Sequence, residues 1–178
     1  MAGEDNDADQ QGGTPGPDLV EVAATWQREL PDVDITNIVV ANSVHRIAQL
    51  LEQDFTELVK DYDLLPSEMR ILLALRRTPG CALSPTQLFR QLMVTSGAVS
   101  KQVGKLFERG LVTREIDPDV PRGLLVRLAP TGMAIAERAV RRMSAAHAGL
   151  ERLGRDEARA AIEALHRVLA VLESAATG

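Results

Sequence analysis

The sequence predicts a mainly α chain with one small β-hairpin wing, and three stretches carry that prediction. Leu83-Ser-Pro-Thr-Gln-Leu88 has the signature of a helix start: Ser84 at an N-cap, Pro85 at the first helical position and Gln87 three residues after the cap, as in a capping box. After the hydroxyls and glycine of Met93-Val-Thr-Ser-Gly-Ala98, the run to Phe107 puts Val99, Val103 and Leu106 on one helical face. A second helix therefore follows closely on the first. Gly110 then stands as a helix C-cap, Gly110 to Ile116 alternates as a strand, Asp117-Pro-Asp-Val-Pro-Arg-Gly123 is turn chemistry, and Leu124 to Leu128 is strand again. Two short helices followed by a hairpin with an arginine at its tip make the layout of a winged helix-turn-helix.

That layout points to DNA. Away from Val99 and Val103, the second helix carries Ser96, Ser100, Lys101 and Lys105, with Gln102 beside them. Hydroxyls and amides at the helix starts (Ser84, Thr95, Ser96, Ser100) suit phosphates, Gln102 suits an adenine edge, and the lysines supply salt-dependent attraction. Alone, this helix is equally an ordinary amphipathic helix with a solvated polar face. The hairpin that follows tips the reading towards recognition.

The same residues resemble the MarR family of dimeric winged-helix repressors over roughly residues 35 to 175. The family's pattern after its recognition helix is matched by Arg109-Gly110-Leu111-Val112, and its wing by Asp117-Pro118-Asp119-Val120-Pro121-Arg122-Gly123. The resemblance implies that Arg122 enters the minor groove. In the family a second aspartate braces the wing, whereas here Val120 and Pro121 replace that aspartate and the first basic residue. Whether Asp119 takes the bracing role stays open.

Charge is consistent once it is located. The net charge is −5, yet residues 1 to 18 hold Glu4, Asp5, Asp7, Asp9 and Asp18 with no lysine or arginine. Between Lys101 and Arg127 the balance reverses, with six basic residues against four acids. Residues 1–17 are expected to be a disordered acidic tail, inert or brushing the DNA-binding face. Residues 18–178 are expected to form one domain, with 18–64 and 130–178 as a helical dimerisation lobe and 65–129 as the winged helix-turn-helix. No long apolar run or signal-peptide pattern is present, so a soluble, cytoplasmic protein is expected.

Outside the winged segment the apolar residues recur at helical spacing. Val40, Val44, Ile47, Leu51, Phe55 and Leu58 make one stripe; Met133, Ala136, Val140, Met143, His147 and Leu150 a second; Ala158, Ile162, Leu165, Leu169 and Leu172 a third. Helices of this length exceed what a small winged lobe can cover, so a homodimer is expected, reading a pseudo-palindromic operator.

Trp26 stands out because only 3% of residues are aromatic. It lies in an added N-terminal helix ending at Pro31, where it either anchors that helix or lines a ligand site. Trp26 followed by Leu30-Pro31-Asp32 resembles the urate-responsive branch of the family, in which a tryptophan, an aspartate and two arginines surround the ligand. Trp26 and Arg114 match that set, while Arg70 stands at the aspartate's position and Gln102 at the recognition-helix arginine's. The resemblance so altered implies a small anionic or phenolic effector at Trp26, Arg70 and Arg114.

No catalytic constellation is visible and the three histidines lack metal-ligand spacing, so neither enzyme, metal nor cofactor is expected. Cys81 is the sole cysteine, which excludes an internal disulfide; a loop thiol without evident activation is read as inert. The expected function is a DNA-binding transcriptional regulator, a homodimeric repressor released by a small molecule. The alternatives are a helical adaptor using a winged domain for protein contacts, and a DNA binder without ligand.

Overall fold

The computed structural model describes residues 18–92, 96–118, 120 and 123–176. The expected tail at residues 1–17 and the wing positions Asp119, Pro121 and Arg122 lie outside them, as does Thr95. Seven α-helices are present among the described residues: α1 Leu19–Glu29, α2 Thr36–Lys60, α3 Pro66–Arg77, α4 Pro85–Leu92, α5 Ser96–Glu108, α6 Pro130–Ala145 and α7 Arg155–Ala176. Three strands, β1 Ala82–Leu83, β2 Val112–Ile116 and β3 Leu124–Leu128, form one antiparallel sheet in the order β1-β3-β2.

Two compact units divide the chain at Gln49 and Leu50, and α2 runs through the division. In the first, Asp18 caps α1 by accepting the Val20 N–H at 2.8 Å, and α1 buries none of its side chains. Asp34 accepts the Thr36 N–H at 2.9 Å, and its bonds to the Thr36 side chain and backbone hold its carboxyl below the usual range. Leu19–Glu29 is helical, with Trp26 exposed on it.

The second unit holds the core, where Met69, Ile71, Leu72 and Leu75 of α3 meet Leu88, Val99, Leu106, Val112 and Val126. Residues from α3, α4, α5 and the sheet thus share one interior, which fixes the helix pair and the wing base to a common support. The capping box expected at Ser84 is formed in both directions: Gln87 N–H donates to Ser84 Oγ at 3.2 Å, and Ser84 N–H donates to Gln87 Oε1 at 2.8 Å. At the other end of the pair, Gly110 has φ +66, its N–H reaches the Phe107 carbonyl, and the Leu111 N–H reaches the Leu106 carbonyl, both at 2.9 Å. That is a Schellman stop, and it turns the chain directly into β2.

Two features depart from the sequence reading. β1 adds a third strand to the expected hairpin, pairing Ala82 with Arg127 and Leu83 with Val126. His147 is not on a helix: α6 stops at Ala145, and positive φ at Ala148 and Gly149 turns the chain away. Its Nδ1 lies 2.6 Å from Asp54 Oδ2, so a carboxylate on α2 holds it where the apolar periodicity placed a helical stripe.

Candidate nucleic-acid interface

α5 is seated by the apolar face that its sequence announced. Val99 is 2% exposed, Val103 4% and Leu106 0%, while Ser100, Lys101 and Lys105 are exposed. A helix anchored this way holds its polar face at a fixed angle to the core, as a groove-reading helix requires. Ser96 supplies the first residue of the helix. Ser84 sits half-buried at the start of α4, its hydroxyl oxygen already accepting the Gln87 N–H.

Gln102 is placed differently from its lysine neighbours. Its side chain is half-buried, and Oε1 is inaccessible with no hydrogen-bond partner among the described residues. With Ser67, Arg70, Ile71, Leu92, Ala98 and Val99 it lines a small cavity of about 90 Å³. Arg70 itself is ion-paired with Glu52 and lies over the Phe55 ring, 4.8 Å from its centroid. Ser67 and Glu52 were not picked out from sequence; the three-residue spacing of Ser67 and Arg70 on one helical face was the available signal. Arg114 points its guanidinium over the Phe107 ring at 4.9 Å. Trp26 belongs to the other compact unit.

The basic surplus of the segment is smaller than residue counting implies. Arg109 donates to the Asp63 carbonyl at 2.6 Å and lies 3.4 Å from the Asp63 carboxylate and 3.9 Å from that of buried Glu68. Arg127 is bound by Glu115 at 2.8 Å. Two of the six cations therefore brace the fold, which leaves Lys101 and Lys105 as the exposed lysines of α5.

Residues 62–123, the segment holding the helix pair and the first strand of the wing, match the family model for the MarR family. Over that segment the chain is similar to the MarR family. The transcriptional regulator PecS of Dickeya dadantii is 25% identical over 124 residues, which span 69% of this chain and 75% of PecS. The multiple antibiotic resistance protein MarR of Salmonella typhimurium is 30% identical over 96 residues, 52% of this chain and 65% of that protein. Among solved structures, Sco5413, a MarR family transcriptional regulator from Streptomyces coelicolor, superposes with a TM-score of 0.66 at 26% identity. The superposition covers 79% of this chain and 97% of Sco5413. PecS and Sco5413 are transcriptional regulators. Among the described residues, no helix is long and apolar enough to cross a membrane.

Proposed function

We propose that two copies of this chain pair through their helical lobes and repress transcription in the cytoplasm by holding operator DNA against polymerase. α5 enters the major groove with Ser100, Lys101 and Lys105 towards the duplex, the starts of α4 and α5 (Ser84, Thr95, Ser96) meet phosphates, and Arg122 at the wing tip reaches the minor groove. The observation that carries this reading is the division of α5 into a fully seated apolar face and an exposed face with Ser100, Lys101 and Lys105. Arg122→Ala is expected to weaken binding to a duplex that the protein itself selects from a randomised pool. Lys101→Ala is expected to lower the slope of log K against log salt by about 0.9. Fluorescence anisotropy from 50 to 300 mM salt checks both, and a salt-insensitive affinity would sink the reading.

The same proposal assigns a small effector to the cavity lined by Arg70 and Gln102, in the manner of the urate-responsive branch that the N-terminal helix resembles; Trp26 and Arg114 are ligand residues by that resemblance alone. Gln102 Oε1 wants a donor, and a phenolic hydroxyl supplies one. Arg70 and Arg114 favour a small anionic or phenolic molecule over urate. Benzoate, phenol and urate at millimolar concentration are expected to differ, the first two raising the thermal midpoint and releasing DNA. If all three leave midpoint and affinity untouched, the protein is a ligand-independent binder as far as this chemistry goes.

A further inference from the structure

We propose that Arg127 is a positioning residue: with Glu115 it straps the wing to the turn that leads into α4. This goes beyond the DNA-binding reading and rests on it. Arg127 occupies β3, the central strand, with Ala82 of β1 opposite it on one side and Thr113 of β2 on the other. Its Nε donates to both carboxylate oxygens of Glu115, at 2.9 and 2.8 Å, and its Nη1 donates to the carbonyl of Gly80. One side chain thus reaches from β2, across β3, to the turn Pro79–Cys81.

Both ends of the strap need it. The turn holds Gly80 at φ +73 and Cys81 at φ +52, left-handed conformations that a chain keeps only where neighbours fix them. β1 is two residues long and gives the wing little backbone ladder on that side. Packing thins towards the wing tip, where Ile116 is 81% exposed and Val120 50%. The direction of the wing is therefore set at its base, where the strap crosses. The ion pair also removes Arg127 from the cations that can neutralise phosphate, because its charge is balanced in the free protein.

The strap and a simple charge effect predict opposite signs. Removing the negative charge of Glu115 strengthens DNA binding if only electrostatics matters. Under the strap, Glu115→Gln weakens binding to the selected duplex by about three- to tenfold, the range of a well-formed charge-assisted pair. The salt slope stays unchanged, as does affinity for an arbitrary duplex at low salt. Arg127→Gln is expected to do the same, and the double variant to cost no more than either single one. Hydrogen exchange of the β2 and β3 amides, measured without DNA, is expected to quicken in both variants at an unchanged thermal midpoint. Tighter binding by Glu115→Gln, a slope lowered by about one unit in Arg127→Gln, or unaltered exchange overturns the strap. Quickened exchange in the two variants, with a wild-type protein that selects and binds no duplex, supports the strap while ending the DNA-binding reading.

Discussion

Gly132→Ala is expected to lower stability by about 1–3 kcal/mol, although it places a better helix former in α6. A Cβ at Gly132 would stand 2.1 Å from the Leu111 carbonyl oxygen and 3.3 Å from Leu128 Cδ1. The carbonyl has nowhere to retreat. It accepts the Ala129 N–H at 3.1 Å, while the Leu111 N–H is fixed to Leu106 at 2.9 Å by the stop that ends α5. Moving it costs a hydrogen bond of about 0.5–1.5 kcal/mol on top of the overpacking, against a helix-propensity gain of about 1 kcal/mol. The clash wins. Gly104→Ala, in the middle of α5, is the matched comparison: the nearest atom to its added Cβ is Arg114 Nη2 at 3.9 Å, so it is expected to stabilise by about 0.5–1 kcal/mol. Urea unfolding of the two variants should move in opposite directions. A Gly132→Ala protein as stable as wild type would show that the α6 and β2 junction is looser than its geometry.

The features most legible in the sequence were those enforced by local chemistry. Ser84 and Gln87 form their reciprocal cap because both partners lie within one turn, and Gly110 stops α5 because few other residues adopt its φ of +66 cheaply. Long-range partners were not legible. β1 is too short to show alternation and is paired by β3, more than forty residues on. The same holds for charge: Arg109 and Arg127 look like phosphate ligands in a linear count, and only the fold brings Asp63 and Glu115 to them. Gln102 shows a third kind of gap. Its residue type suits a base edge, yet the rotation of α5 about its buried face leaves the amide oxygen inaccessible and the side chain half-buried against the cavity beside Arg70. His147 kept the apolar period past the end of α6 because the stop there depends on backbone turns at Ala148 and Gly149 and on Asp54, none of which periodicity records.

The double variant Ile162→Glu with Leu169→Glu is expected to make the protein monomeric at micromolar concentration and to reduce affinity for the selected duplex by about 10²–10⁴-fold. α7 is 22 residues long and buries none of its side chains, with Ile162 53% exposed, Leu165 44%, Leu169 51% and Leu172 56%. A stripe of that length left in water is a large liability for one chain, since each such side chain, already about half covered, is worth about 1 kcal/mol more once buried. Under the proposed pairing a second copy would cover it at no cost in new sequence, because a two-fold axis would set the same stripe against itself. The consequence for DNA is multiplicative. Each winged lobe offers a few phosphate contacts, and their affinities compound only when two lobes are tied together at half-site spacing. Charges placed at Ile162 and Leu169 lie far along the chain from α5 and the wing, so a monomer made this way keeps each half-site reader intact. Analytical ultracentrifugation paired with anisotropy separates the steps. A variant that stays dimeric would move the interface off α7, and a monomer that still binds a full palindrome as wild type does would remove the need for pairing.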